Sequence, residues 1–599
     1  MTDIMHRAAL WASLPSIEAL QVSADGNWVY WSWAGPTENT EIWCAPSDGS
    51  AAPKQLTNSQ DHAYIRAVSY DGSRALFARS QDSCERDQLF VLDRDGDEAA
   101  LTHPQHDHYV FGGAFSPDGA TVIWIANYDY TAQRQTSGGW IWVQNLASGA
   151  RRVLHKMDGP FESGAEFSPD GAHILWRVMS GPAGAMQLWV MRADGSAARE
   201  VVRASDTSSI SGEWLDANTI GFIGEGRIND YVGRYSLTTG AAETLVESAD
   251  FNPQGLIAGP NGCCAVIAFQ DSVAAPEILE GKTRAPLKNN TGRGSILPLG
   301  SHADGSWIAE AYDAGAPHDI VRLHPDGRCT IIARLAHDGH FIRPDTLHWT
   351  SADGTRVQGW LYRPKGQARG HITYVHGGPT WHSEDWTNAK IQFWLSCGYS
   401  VLDPNYRGST GRGMAWRQRV KEDGWGGREQ ADIRAGTEAV IALGVAQPGR
   451  IAVAGNSYGG FSSWYAITRH ADLVNAAIPM CGMYKLDIDY AETEMPWGKS
   501  YSEEMMGGTP EDVPEKYANA SPGNFVDNIS GRVMAVHGLA DTNVGPANTH
   551  VAVQDMQAKG IAHEVLLFED EGHGVTRRSN LARYLAASAR FLEGAFGNG

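Results

Sequence analysis

Long apolar runs are missing from this sequence. No stretch of about 18 apolar residues occurs, so no transmembrane helix is predicted. The first 14 residues include Asp3 and lack the continuous apolar core of a signal peptide. Cysteine is also scarce, with seven residues in a chain of 599, an odd and sparse set for a disulfide framework. We therefore expect reduced thiols, a cytoplasmic location and no membrane partner.

Basic residues are too few for a polyanion-binding protein. The chain has 48 Lys and Arg against 69 Asp and Glu, a net charge of −21. Nucleic acid is therefore not expected as a partner, because it requires a basic surface. The composition is otherwise that of a globular protein, with 42% hydrophobic and 20% charged residues. Since single cores stop growing near about 250–300 residues, at least two domains are expected.

The first half contains a sequence repeat. A hydrophobic residue and a short polar pair precede Asp-Gly or a related turn, and an apolar strand follows. The marker residues, spaced 43 to 52 residues apart, are Asp25, Asp71, Asp118, Asp170, Asp216, Asn261 and Asp304. Asp-Gly closes tight hairpins, and four short strands per period are typical of a propeller blade. A β-sandwich would not repeat one motif seven times, so we predict a seven-bladed β-propeller over residues 15–335.

The second half, residues 336–599, has a different pattern. Apolar strands alternate with helical segments, which indicates a doubly wound, mostly parallel sheet with helices on both faces. Several strands run directly into Gly-rich segments, such as HGGP at 376–379 and GNSYG at 455–459. Because chemistry collects at the carboxyl ends of parallel strands, these segments are candidate site loops.

Three residues of this half form a candidate catalytic triad. Ser457 lies in a G-x-S-x-G turn between a strand and a helix, which lifts a nucleophilic hydroxyl out of the backbone. His573 follows a late strand in a Gly-flanked loop and is the candidate general base. Asp541 follows the preceding strand and is the candidate acid that orients the base. The chain order Ser, Asp, His is that of the α/β-hydrolase fold.

An acyl-transfer site also needs two donors for the developing oxyanion. The backbone N–H of Tyr458 follows the nucleophile, and Gly378 in the HGGP segment is the best candidate for the second donor. No cofactor-binding motif appears, and the His-rich segment at 103–108 lacks companions at a metal spacing. We expect no cofactor and no metal.

The sequence resembles the prolyl oligopeptidase family of serine peptidases across nearly its whole length. The matching segments are GNSYGG at 455–460, NYRGSTG at 405–411, WGG at 425–427 and the loops of Asp541 and His573. The HGGP segment and seven blades look most like the acylaminoacyl-peptidase branch, in which the second Gly donates to the oxyanion. The resemblance also implies an N-terminal helix within residues 1–14 that packs on the hydrolase domain. Two departures are Asn543, where many relatives carry Arg, and the lack of an adjacent Glu pair that anchors free amino termini.

These observations predict a serine peptidase that hydrolyses short peptides through an acyl-enzyme, similar to acylaminoacyl peptidases and oligopeptidases. Two alternatives stay open: a dipeptidyl- or aminopeptidase acting on free amino termini, and an esterase or amidase of small molecules. Without an acidic pair, an N-acetylated peptide is expected to be cleaved at least as well as its free-amine twin. Single acids could reverse this expectation; the candidates are Glu162, Glu166, Glu213 and Glu225. A homo-oligomer is compatible with the sequence.

Overall fold

The computed structural model describes residues 2–102, 107–161, 163–179, 185–205, 208–226 and 228–597. The chain begins with helix α1, Thr2–Ala12, and then forms a series of antiparallel sheets followed by one mixed sheet. Short 3-10 helices interrupt the connections at Gln81–Ser83, Pro260–Gly262, Gln418–Glu422 and Pro522–Asn528.

Seven antiparallel sheets within the described ranges form the propeller, each from strands consecutive in sequence. The first three are β1 Ser16–Val22, β2 Trp28–Ala34, β3 Glu41–Pro46, β4 Lys54–Gln55; β5 Ala63–Val68, β6 Arg74–Arg79, β7 Gln88–Asp93, β8 Glu98–Ala100; β9 Val110–Phe115, β10 Thr121–Asp129, β11 Arg134–Asn145, β12 Arg151–Lys156. The next two are β13 Ala165–Phe167, β14 His173–Met179, β15 Met186–Arg192, β16 Arg199–Arg203; β17 Ile210–Asp216, β18 Thr219–Glu225, β19 Asp230–Ser236, β20 Ala241–Glu247. The last two are β21 Pro253–Ala258, β22 Cys264–Gln270, β23 Val273–Ala274, β24 Glu277–Glu280, β25 Thr283–Pro286; β26 Ser295–Ser301, β27 Trp307–Asp313, β28 Ala316–Leu323, β29 Cys329–Arg334.

The repeated turn joins the first and second strands of each blade. In the third blade, the Asp118 carboxylate accepts hydrogen bonds from the Ser116 hydroxyl and from the Ala120 N–H at 2.9 Å. The Ser116 hydroxyl in turn accepts from the Thr121 N–H at 2.9 Å, and Gly119 takes a φ of 67°. The motif therefore closes the hairpin through its own side chains, and the predicted seven-bladed propeller is confirmed.

The second domain is an eight-stranded sheet of order β30-β31-β33-β32-β34-β35-β36-β37. Its pairings from β33 onward are parallel, whereas β31 pairs antiparallel with both β30 and β33. The elements are β30 Asp345–Thr350, β31 Arg356–Tyr362, β32 His371–Val375, α2 Ala389–Ser396, β33 Ser400–Asn405, α3 Met414–Arg417, α4 Arg428–Ala442, β34 Ile451–Asn456, α5 Tyr458–Arg469, β35 Ala476–Met480, α6 Leu486–Glu492, α7 Gly498–Met506, α8 Pro514–Ala520, β36 Arg532–Gly538, α9 Ala547–Ala558, β37 His563–Phe568 and α10 Arg578–Phe596. This is the predicted α/β-hydrolase sheet, buried by helices on both faces.

Helix α1 packs on the hydrolase domain. Its buried Ala8 and Trp11 belong to the same hydrophobic core as Trp394 and Phe591. The Arg7 guanidinium donates to the backbone carbonyl of Ser396 at 2.6 Å. None of the helices in the described ranges is both long and apolar enough to span a bilayer.

Candidate active site

Ser457 lies in the sharp turn between β34 and α5. Its backbone has φ 58° and ψ −120°, a conformation that non-glycine residues rarely adopt and that occurs at functional turns. The flanking glycines are required by close packing, since a Cβ at Gly459 would lie 2.0 Å from the Val375 carbonyl oxygen and one at Gly455 would lie 2.4 Å from it. The turn therefore presents the serine at the carboxyl end of the sheet.

His573 and Asp541 meet at the same end of the sheet. His573 Nδ1 lies 2.8 Å from Asp541 Oδ2, while Asp541 Oδ1 accepts from the N–H groups of Asn543 at 2.9 Å and Val544 at 3.0 Å. His573 Nε2 is buried and has no hydrogen-bond partner among the described residues. The Asn456 side chain, next to Ser457, donates to the His573 carbonyl at 3.3 Å. An imidazole with Nδ1–H held by a carboxylate leaves Nε2 ready to accept a proton.

The electrostatics suit a base that becomes charged during reaction. Burial alone lowers the pKa of His573, but the Asp541 carboxylate outweighs burial and raises it above its ordinary value. Burial alone raises the pKa of Asp541, but His573 and His537 hold it below its usual range. The pair is therefore arranged to stabilise an imidazolium next to a carboxylate.

The HGGP loop lies against the nucleophile turn. A Cβ at Gly377 would lie 3.4 Å from the Ser457 Cβ. Tyr406, from the NYRGSTG segment, stacks on His376 with ring centroids 4.4 Å apart and donates its hydroxyl to the His376 carbonyl at 2.9 Å. The Tyr501 hydroxyl donates to the Gly378 carbonyl at 3.4 Å. Tyr458 directly follows the serine and Gly378 follows the glycine that packs on it, and the role of their N–H groups as oxyanion donors stays a prediction.

The WGG segment at 425–427 is linked to the Ser457 turn through Glu429. The buried Glu429 carboxylate accepts from the N–H groups of Gly426 at 2.6 Å and Gly427 at 3.1 Å. The same carboxylate accepts from the Tyr458 hydroxyl at 2.9 Å. The WGG segment therefore helps to position Tyr458, the residue that follows Ser457.

The propeller holds the His573 loop from the other side. The Arg577 guanidinium donates to Asn39 Oδ1 at 2.8 Å, to the Gln60 carbonyl at 2.6 Å and to Asp61 Oδ1 at 3.0 Å. His62 Nε2 lies 3.0 Å from the Thr576 hydroxyl. The loop of His573 is thus bonded to the first blade across the domain boundary.

Two acidic residues near His573 were not predicted as site residues from the sequence. Glu85 and Asp489 each have a buried carboxyl oxygen without a hydrogen-bond partner in the described structure, Oε2 and Oδ1 respectively. Burial raises the pKa of each to about 7, and each interacts electrostatically with His573 and Asp541. Neither residue lies in a recognisable motif, so only the fold reveals them.

The glutamates that the sequence indicated as possible amine-binding acids lie elsewhere in the structure. Glu162 lies outside the described residues. Glu166 and Glu213 lie on β13 and β17; burial raises the pKa of Glu166 to about 7, and burial with the nearby Glu166 raises that of Glu213 to about 8. Glu225 accepts from the Arg417 guanidinium at 2.6 Å across the domain boundary. This ion pair already satisfies the Glu225 carboxylate.

Among the described residues, one compact set of side chains of metal-ligand type includes the predicted triad acid Asp541, together with Cys481 and His537. His537 Nε2 lies 2.9 Å from the Val544 carbonyl, which can only accept, so Nε2 carries a proton. Burial raises the pKa of the Cys481 thiol well above its usual value. A protonated imidazole nitrogen and a neutral thiol do not fit a metal centre, and the set serves to hold Asp541.

Between the domains lies a cavity of about 730 Å³. The hydrolase side contributes Trp381, which follows the HGGP loop, and Thr576, which follows His573. The propeller side contributes Glu18, Tyr64 and Glu310. The volume is within the range of sites that enclose small ligands, about 300–1,000 Å³.

Comparisons with known proteins agree with this architecture. Residues 385–599 match the sequence profile of the prolyl oligopeptidase family. The chain is 26% identical to dipeptidyl aminopeptidase BIII of Pseudoxanthomonas mexicana, over 99% of this chain and 88% of that protein. The fold is similar to that of a puromycin-hydrolyzing peptidase of Mycobacterium tuberculosis (TM-score 0.84, 21% identity, 99% of this chain and 96% of that chain). It is also similar to the acylaminoacyl peptidase of Pyrococcus horikoshii (TM-score 0.76, 17% identity, 98% and 97%). A propeller joined to a hydrolase sheet, the profile matched by residues 385–599 and the peptidase relatives lead to one conclusion: the chain is a serine peptidase whose hydrolase domain carries the prolyl oligopeptidase family profile.

Proposed function

We propose that Ser457, His573 and Asp541 form the catalytic triad of a peptidase that hydrolyses short peptides through an acyl-enzyme. The observation that carries this proposal is the buried His573 imidazole next to the Ser457 turn, which is bonded through Nδ1 to Asp541 and has no partner for Nε2 among the described residues. Such a base can take the serine proton as the hydroxyl attacks the peptide carbonyl.

In the first step, the Ser457 oxygen bonds to the carbonyl carbon and His573 receives the hydroxyl proton. The oxyanion is stabilised by the N–H groups of Tyr458 and Gly378. His573 then gives the proton to the leaving amine, and the C–N bond breaks to leave the acyl-enzyme. Water, deprotonated by the same imidazole, hydrolyses the ester and restores Ser457.

Short peptides are the proposed substrates because the propeller packs on the His573 loop and restricts access to the proposed triad. The interdomain cavity of about 730 Å³ reaches Thr576, three residues from His573, and is too small for a folded protein. The relatives named dipeptidyl aminopeptidase and acylaminoacyl peptidase support a peptide substrate.

Replacing Ser457 by alanine tests the proposal. We expect Ser457→Ala to reduce peptide turnover below about one per cent of wild type and to abolish labelling by a fluorophosphonate, because triad members act as one unit. Ser530→Ala, at an exposed loop serine, should retain full activity and labelling. Turnover above that level in a folded Ser457→Ala protein would refute the assignment.

An amidase or esterase of small molecules is the second candidate, since the same triad cleaves esters. It is favoured by the fold similarity to a protein described as puromycin-hydrolyzing. A panel of matched peptide, amide and ester substrates distinguishes the two. The peptidase assignment requires kcat/KM for peptides to match or exceed that for small amides.

A further inference from the structure

One propeller loop, residues 81–87, reaches both catalytic loops of the hydrolase domain. The Thr542 hydroxyl, next to Asp541, donates to the Cys84 carbonyl at 2.9 Å. The Ser83 carbonyl oxygen packs so closely on Gly572 that a Cβ there would lie 1.8 Å away. The 81–87 loop is therefore a fixed part of the wall around His573.

This loop carries Glu85 into the site in an unusual conformation. Glu85 has a φ of 60°, and Asp82 and Ser83 also have positive φ values, of 52° and 59°. Side chains in this region of φ are strained, and such strain is retained where the surrounding structure holds it. The backbone thus directs a carboxyl group toward His573 at a conformational cost.

The Glu85 carboxyl has one oxygen without a hydrogen-bond partner in the described structure. Its Oε2 atom is inaccessible to solvent and accepts no hydrogen bond from any described residue. A buried acceptor left unsatisfied is unfavourable, and a buried carboxylate requires a cation or several donors. The neighbouring Arg86 is engaged with Glu494. The charges that act on Glu85 are His573, which favours the carboxylate, and Asp541 and Asp87, which oppose it.

We propose that Glu85 binds the free α-ammonium group of the peptide whose carbonyl Ser457 attacks. An ammonium offers three N–H donors and a positive charge, which are what the buried Oε2 lacks. The inference rests on the proposed peptidase function and specifies its substrate class as peptides with a free amino terminus. It selects the dipeptidyl- or aminopeptidase alternative and reverses the preference for acetylated peptides expected from the sequence.

Asp489 provides a matched comparison. It is also a buried carboxyl with an unpartnered oxygen and an electrostatic interaction with His573. It lies on α6 of the hydrolase domain, whereas Glu85 comes from the propeller. Neutralising either residue removes negative charge from the surroundings of His573. Only Glu85 is assigned to the substrate amine, so only its loss should change discrimination between peptide termini.

The test measures kcat/KM on Ala-Phe 4-nitroanilide and on its N-acetyl twin for wild type, Glu85→Gln and Asp489→Asn. We expect wild type to prefer the free amine by at least about tenfold, which corresponds to about 1.4 kcal/mol. Glu85→Gln should bring the ratio near one by lowering only the free-amine value. Asp489→Asn should keep the wild-type ratio. In a binding arm, free Ala-Phe should protect wild-type Ser457 from a fluorophosphonate better than acetyl-Ala-Phe does, and Glu85→Gln should abolish the difference.

Three results would overturn the inference. Wild type could prefer the acetylated substrate, or Glu85→Gln could lower both substrates equally, which would mean that Glu85 acts through His573. In the third result, Glu85→Gln would leave the preference for a free over an acetylated amino terminus intact. It would instead change the preference for lysine over norleucine at the cleaved residue of acetylated substrates, which would assign Glu85 to a side-chain ammonium. If Ser457 is labelled in these cases, only the inference fails. If Ser457 is neither labelled nor needed for turnover, the proposed function fails as well.

Discussion

Adding one methyl group at Gly572 should force apart the propeller and the loop of His573. The Cβ of Gly572→Ala would lie 1.8 Å from the Ser83 carbonyl oxygen, whereas real Cβ atoms keep at least 3.0 Å. Either the backbone at position 572 or the Ser83 carbonyl must therefore move by about 1.2 Å. The clash is with backbone, and the Asp82 N–H next to it is bonded to Asp61 Oδ1 at 3.1 Å, so no side-chain rotation relieves it.

The displacement falls one residue from His573, where misplacement by about 1 Å can cost about a hundredfold in rate. We expect kcat/KM of Gly572→Ala to fall by about that factor while circular dichroism shows an unchanged fold. Gly294→Ala is the control, because its Cβ would lie 3.6 Å from Asp385 Oδ2, an ordinary contact between the same two domains. Retention of more than half the wild-type kcat/KM in Gly572→Ala would refute the packing argument.

Other predictions concern pH, stability and substrate size. Peptide kcat/KM should rise with pH as His573 loses its proton. Burial lowers the pKa of His573, but the Asp541 carboxylate raises it by more, so the midpoint of the pH profile should lie above 6.5. Asp541→Asn should shift that midpoint to lower pH. A wild-type midpoint at or below 6.5 would contradict this. Arg407→Ala should lower the free energy of unfolding of the hydrolase domain by about 3–5 kcal/mol, because it leaves the buried Asp432 carboxylate without its partner at 2.7 Å. The more exposed Arg434→Ala should cost about 1 kcal/mol or less by calorimetry, and equal losses would disprove the argument. Native globular proteins should resist digestion that degrades short peptides, and rapid internal cleavage would show that the propeller does not restrict access to the triad.

The elements that sequence reasoning predicted are those encoded locally. The blade turn is closed by Ser116, Asp118 and Gly119, three residues within four positions, so the repeat is readable without knowing the fold. The turn at Ser457 likewise depends on glycines two residues away on each side. Strand-helix alternation then placed the loops of Asp541 and His573 at one edge, because parallel strands share their carboxyl ends.

What the sequence did not reveal depends on contacts between distant segments. Thr542 bonds to Cys84 across 458 residues, and Arg577 bonds to Asn39 across 538. Such contacts have no periodicity and no shared motif. For that reason the sequence indicated Glu162, Glu166, Glu213 and Glu225 as possible amine-binding acids, but not Glu85.

The sequence by itself determined the two folds and the three candidate triad residues, since each follows from short-range turn chemistry and hydrophobic periodicity. Only the tertiary structure decided which propeller residues face the triad. Docking of the 81–87 loop on Gly572 places Glu85 where its charge acts on His573 and leaves its Oε2 atom buried without a hydrogen-bond partner among the described residues. Burial and proximity are properties of the packed domains, and they turn an ordinary loop glutamate into a candidate determinant of specificity.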